Sequence, residues 1–150
     1  MATNVVSVLN DLVETSKDGE KGFLKAAEDA HDAQLKTLFQ SRAEDCARGA
    51  RELQDAVQGM GGKPESHGSM SGALHRGWVD VKSAVASRSD LEILAECEKG
   101  EDVAKKRYHD ALEKDLPLDV RSIVEHQYQG VLQNHDCVRD LRDRYAALKH

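Results

Sequence analysis

Val5, Leu9, Leu12, Ser16, Gly19, Phe23, Ala26 and Ala30 follow one another in alternating steps of four and three. Steps of that size return to one face of a 3.6-residue helix, and an extended strand has no use for them. Three further segments keep the same rhythm. Leu35, Phe39, Arg42, Cys46, Gly49, Leu53, Ala56 and Met60 mark the second. Leu91, Leu94, Cys97 or Glu98, Glu101, Ala104, Tyr108 and Leu112 mark the third. Val120, Val124, Gln127, Val131, His135, Val138, Leu141, Tyr145 and Leu148 mark the fourth. The spacing predicts four long helices of roughly 26 to 32 residues, about 40 Å each at 1.5 Å per residue.

Boundary signals agree with the stripes. Thr3 or Asn4 can cap the first helix, and Asp32 can end it and cap the second. Ser89-Asp90-Leu91-Glu92 is a Ser-x-x-Glu capping box for the third, and Pro117 suits the first turn of the fourth. The second helix stops at Gly59-Met60-Gly61-Gly62-Lys63-Pro64. Two connections are therefore short, which makes antiparallel neighbours, while residues 61–88 form a link long enough to travel the length of a bundle. Within that link GALHRGWVDVKSAVA reads as a shorter helical piece, anchored by Trp78, the single tryptophan. The expected architecture is one all-α domain over residues 1–150, a ferritin-like antiparallel four-helix bundle with a long helical crossover between helices 2 and 3.

Composition narrows the partners. The formal charge is −6, and no basic block occurs. Arg139, Arg142 and Arg144 are interleaved with Asp136, Asp140 and Asp143, the pattern of a solvated helix face rather than a nucleic-acid footprint. Cys46, Cys97 and Cys137 are odd in number and lack CxxC spacing, so they read as free thiols in a reducing cytoplasm. No stretch approaches the ~18 apolar residues of a membrane span, and the N-terminus lacks the pattern of a signal peptide.

The chemistry on offer is thin. Asp18-Gly19-Glu20 in helix 1 and Lys99-Gly100-Glu101 in helix 3 each set a Gly-Glu pair mid-helix. Gly costs about 1 kcal/mol there relative to Ala, so its recurrence suggests close approach at equivalent places. Glu20 reads as inward-facing among Ser16, Phe23 and Ala27, and Glu101 as inward-facing one turn from Glu98. Carboxylates on an apolar stripe are costly unless paired, protonated or metal-bound. Di-iron bundles take a Glu from each of two helices and a Glu-x-x-His from each of the others. Helix 2 has no His, and helix 4 reads Leu132-Gln133-Asn134-His135, with Leu where Glu should stand. Two readings stay open: a mononuclear iron or manganese site at Glu20, Glu101 and His135, or a buried network in which Arg42 supplies the cation. A third places a small-molecule site between bundle and crossover, near His75 and Trp78. His67-Gly68-Ser69 and His75-Arg76 read as hydrogen-bonding groups, since no acid or oxyanion hole can be assigned to them. GMGGKPE lacks the spacing of a phosphate loop.

LNDLVETSKDGEKGFLKAAEDA (9–30), GGKPESHGSMSGALHRGW (61–78), ECEKGEDVAKKRYHDAL (96–112) and LPLDV (116–120) carry a resemblance. The chain resembles a bacterial domain-of-unknown-function family of ferritin-like four-helix-bundle proteins. The resemblance implies such a bundle in a bacterial cytoplasm and brings no catalytic residue with it. Related ferritin-like families include stress-induced proteins, so a stress role is the expectation it supports. The function expected overall is that of a non-enzymatic structural or interaction protein, homodimeric through an exposed helix face. The alternative is a metal-binding ferritin-like protein, an oxidase or a metal store.

Overall fold

A computed structural model describes residues 4–66 and 89–148, and among them it contains four helices and no strand. These are α1 (Val5–Asp29), α2 (Ala33–Gly59), α3 (Asp90–Leu112) and α4 (Leu118–Leu148). The shorter helical piece expected within the crossover lies outside the described residues, together with His67, His75, Arg76 and Trp78.

Local chemistry sets the boundaries. Asn4 caps α1, its side chain accepting from the Ser7 N–H at 3.0 Å. Asp32 caps α2 through the Gln34 N–H at 2.7 Å, leaving Ala30, His31 and Asp32 as the whole turn between α1 and α2. Ser89 caps α3: Glu92 N–H donates to Ser89 Oγ, and the Ser89 hydroxyl in turn donates to Glu92 Oε1. Pro117 stands just before α4, where its carbonyl accepts from Arg121 N–H at 2.8 Å. α2 ends in a Schellman motif. Gly61 adopts φ +79°, Gly61 N–H donates to Gln58 O, and Gly62 N–H donates to Val57 O. Gly62 has no room for a side chain, because a Cβ there would sit 2.9 Å from Val6.

Two apolar clusters hold the helices together. One joins Phe23, Ala26 and Ala30 of α1, Leu35 and Phe39 of α2, Ile93, Leu94 and Cys97 of α3, and Val138 of α4. The other joins Leu9, Leu12 and Val13, Leu53 and Val57, Tyr108 and Ala111, and Val120 and Val124. The late part of α1 thus meets the early parts of α2 and α3 and the late part of α4. It follows that α1 and α4 run one way and α2 and α3 the other. Parallel α2 and α3 are what a long link demands and what an up-down-up-down bundle forbids.

Polar stitches close the ends. Asp90 accepts from the His31 and Asp32 backbone N–H groups at 2.7 and 3.0 Å, and Tyr145 donates to Asp32 at 2.7 Å. Asp32 is held below the usual carboxylate range, chiefly by the Tyr145 hydrogen bond, and the Tyr145 hydroxyl is pushed up to about 12, chiefly by burial. At the opposite end Arg121 donates to the Leu112 carbonyl, which α3 leaves unpaired at its C-terminus, and to the Lys114 carbonyl just beyond it. Asn10 binds the Lys63 carbonyl and the Glu65 N–H, fastening the start of the crossover to α1. No helix among the described residues is long and apolar enough to cross a membrane.

The stripe of α2 needs one correction. Its core residues between Phe39 and Leu53 are Ala43 and Ala50, while Arg42, Cys46 and Gly49 line a cavity. Met60 and Leu148, expected as the last members of their stripes, are exposed.

Candidate functional site

Midway along the bundle α2 and α4 barely touch. The gap is a cavity of ≈ 490 Å³ between the two apolar clusters. All four helices contribute to its wall, through Ser16 and Gly19 of α1, Arg42 and Cys46 of α2, Glu101 and Tyr108 of α3, and Gln127 and Asn134 of α4. Small residues leave this space. Gly19 and Gly100, the two glycines of the matched Gly-Glu pairs, both border it, and a Cβ on Gly19 would come within 3.0 Å of Cys46 Sγ.

Glu101 is the most constrained group in the wall. It is 4% exposed, and its Oε1 has no hydrogen-bond partner. Burial pushes its carboxyl up to about 8; Arg42 opposes the rise, Asp102 adds to it, and the Asn134 side chain opposes it. At neutral pH Glu101 is thus a carboxylic acid, able to donate as well as accept.

Arg42 faces the same space with its Nε buried and unpartnered. Its NH1 donates to Asp45 at 3.2 Å, and Arg48 pairs with the other oxygen of that carboxylate. The guanidinium is felt electrostatically at Glu101 yet makes no ion pair with it. On the opposite side runs a directed chain of hydrogen bonds. Tyr108 donates to Gln127 Oε1 at 2.7 Å, which leaves Ser16 to donate to Tyr108 at 3.3 Å. Gln127 Nε2 then donates to the Gly49 carbonyl and to Glu52, bridging α4 to α2. Burial raises the thiols of Cys46 and Cys97 and the phenol of Tyr108, so all three stay protonated and none is an activated nucleophile.

The three carboxylate and imidazole candidates do not assemble. Glu20 is a little under one-third exposed, lies 3.9 Å from Lys17 and is not part of the cavity wall. His135 is buried, but its Nε2 meets Asp102 at 2.5 Å, on the outer flank of α3 rather than beside Glu101. Among the described residues, the one trio of His, Cys or carboxylate ligand atoms within 4.8 Å of one another is His109, Asp110 and Glu113, all exposed on α3. Arg42, the candidate cation of a buried network, makes its ion pair with Asp45.

Some of the site escaped the sequence reading. Gln127 and Tyr108 belong to the stripes read from the sequence, but the helical spacing shows no cavity between them and gives Asn134 no role. Thr15, Asp18 and Gly22 are buried on a second face of α1, and their spacing of three and four was the available signal.

The family model described as "Domain of unknown function (DUF2383)" matches residues 4–114. No curated protein sequence matches the chain. In structure the chain is similar to a dodecameric thioferritin, the bacterioferritin-related protein of Bacteroides fragilis. The TM-score is 0.78, with 15% identity, covering 97% of this chain and 88% of that one. It is also similar to a ferritin-like, diiron-carboxylate protein from Bacillus anthracis, with a TM-score of 0.72 and 16% identity, covering 95% of this chain and 99% of that one. At such identities the likeness establishes a ferritin-like fold and nothing further.

Proposed function

The chain belongs to the DUF2383 family, and we propose that it serves as a non-enzymatic binding and interaction scaffold on a ferritin-like bundle. One observation carries this reading. At the bundle centre stand a neutral carboxylic acid, Glu101, and a guanidinium, Arg42, around a cavity. A pair of iron ions needs several ionised carboxylates and imidazoles converging on one point. The residues present do not fit that demand. Glu101 has no second buried carboxylate beside it in the wall, His135 is tied to Asp102, and Arg42 adds a fixed positive charge to the cavity wall, which disfavours a cation there. A single iron or manganese ion held by Glu20, Glu101 and His135 is the competing reading, and the position of Glu20 outside the cavity wall weighs against it.

Metal analysis of protein purified without chelator tests the choice. The expected result is substoichiometric iron, manganese and zinc, with no iron-dependent absorbance band and no oxygen uptake on anaerobic loading followed by air. Near-stoichiometric metal that disappears in Glu101→Ala would overturn the reading.

The same proposal places the protein in a bacterial cytoplasm, linked to stress. The three cysteines, all free thiols, suit a reducing compartment. It also holds that the chain associates with itself as a homodimer; the Bacteroides fragilis relative is described as dodecameric. Light scattering on a sizing column checks this, and a monomer at tens of micromolar would refute it.

A further inference from the structure

Three buried polar atoms border the cavity without a partner: Arg42 Nε, Glu101 Oε1 and Asn134 Oδ1. Buried polar groups are nearly always hydrogen-bonded, so three such atoms around one space call for an explanation. Glu101 is 4% exposed and Asn134 7%, so solvent outside the cavity does not serve them. The atoms are chemically unlike. Arg42 Nε–H is a charged donor and nothing else, Asn134 Oδ1 is an acceptor, and a neutral Glu101 brings an O–H.

A dry apolar filling would leave all three wanting. A metal cation would meet the guanidinium head-on. An inorganic anion without an O–H, such as sulfate or chloride, would satisfy Arg42 and the acid while leaving Asn134 Oδ1 bare. The set calls for a molecule with an oxyanion at one place and a donor at another. The other acids near Arg42 do not preclude an anion. Asp45 is shared between Arg42 and Arg48, which leaves a net positive charge in that group, and Glu52 is engaged by Gln127. Arg42 and Glu101 do not pair directly, so a carboxylate can lie between them, accepting from both. The cavity, at ≈ 490 Å³, is of the size that small organic ligands occupy.

Resting on the reading of this chain as a binding scaffold, we propose that the waist cavity binds a small organic carboxylate that also bears an O–H or N–H donor. A hydroxy acid or an amino acid meets that description. Its carboxylate sits between Arg42 and Glu101, and its donor meets Asn134. Arg42 supplies the countercharge. Glu101 acts as a neutral donor, in which role an ionised acid would repel the ligand.

The test is calorimetric titration of metal-analysed wild-type protein at pH 7 with L-lactate, L-serine and L-malate, against acetate and glycerol. At least one of the first three is expected to bind one to one with a Kd of ~1 mM or tighter, acetate and glycerol about tenfold or more weakly. Arg42→Gln and Glu101→Ala should each weaken that binding by about tenfold or more, whereas Glu101→Gln, which still donates an N–H, should stay within about threefold. No saturable binding by any of the three acids overturns the proposal, and so does unchanged binding in both Arg42→Gln and Glu101→Ala. Should Arg42→Gln prove unfolded by circular dichroism, Ala104→Leu replaces it. That change fills the cavity without altering a charge, and undiminished binding in it overturns the proposal equally. Protein free of both metal and carboxylate binding would sink this inference alone; stoichiometric metal would sink the scaffold reading beneath it.

Discussion

At either end of the bundle the four helices close on Leu, Val and Phe side chains, and Phe23 and Phe39 stack with their centroids 6.1 Å apart. At the waist the same helices face one another with Arg42, Cys46, Glu101, Gln127 and Asn134 across a cavity. The ends bury apolar surface, the dominant favourable contribution to folding. The waist leaves a void and buries a titratable acid, both of which cost stability. Stability therefore resides at the ends, and the waist is free to be shaped for something else. A ferritin-like fold suits that division, because α1–α2 and α3–α4 are closed hairpins while the α2–α4 flank need not seal.

The largest effect expected lies at the ends. Phe39 and Leu53 are both fully buried, one in each cluster. Phe39→Ala and Leu53→Ala should each cost about 3–5 kcal/mol in urea unfolding, the usual toll for emptying a closed core position. A loss under about 1.5 kcal/mol for either would mean that its end yields as readily as the waist, and the contrast would fail.

Next comes the buried acid. Glu101 titrates at about 8 in the folded chain against 4.5 for a free side chain. Below pH 4.5 both folded and unfolded chains hold the proton, and pH has no leverage. Between 4.5 and 8 the unfolded chain releases it and the folded chain does not. Stability then falls as pH rises, by up to about 1.4 kcal/mol per pH unit, and levels off above 8. Glu101→Gln cannot ionise, so its stability relative to wild type should climb across that window, by on the order of 4 kcal/mol between pH 4.5 and 8.5. Matched unfolding curves at pH 4.5, 6.5 and 8.5 measure it. A flat difference would mean that the acid is ionised and solvated in the fold. Asp102 on α3, Arg42 and Cys46 on α2 and Glu20 on α1 share the neighbourhood and are present in both proteins, so they cancel to first order.

The division between ends and waist also decided how much of the molecule could be read from sequence. Asp32, Ser89 and the Gly61-Gly62 stop act through neighbours within five residues, so the hairpins and their topology were legible in full. Glu101 was legible because Gly100 and Tyr108 place it unambiguously on the inner face. Glu20 was not. It lies at the edge of its stripe, where a flexible carboxylate can swing to Lys17 and water, and a helical wheel cannot tell swinging out from pointing in. Arg42 was no more decidable, since Asp45, one turn away and half-exposed, offers it a partner on its own helix. The cavity itself follows from two helices standing apart, a distance that no single helix encodes.

A smaller effect is expected from the waist's own network. Tyr108→Phe deprives Gln127 Oε1 of its donor and Ser16 of its acceptor, which should cost about 1–2 kcal/mol. No change within about 0.3 kcal/mol would mean that water already serves these groups, and the waist would be wetter than its hydrogen bonds suggest.

The finest test compares two glycines that border the same cavity. A Cβ on Gly130, mid-helix in α4, meets nothing within 4 Å, so Gly130→Ala should gain most of the helix preference of Ala over Gly, about 0.5–1 kcal/mol. The same change at Gly19 gains the same preference but brings the new methyl to 3.0 Å from Cys46 Sγ, so α1 and α2, the most closely packed pair of helices, must give there. Gly19→Ala should therefore be neutral or destabilising, and Gly19→Ala combined with Cys46→Ala should recover part of the gain. Thermal melts of the four proteins resolve the difference. Equal stabilisation at both glycines would mean that the α1–α2 side of the waist is as loose as the α2–α4 side, and the cavity would then be a general slackness of the bundle rather than a space kept open on one flank.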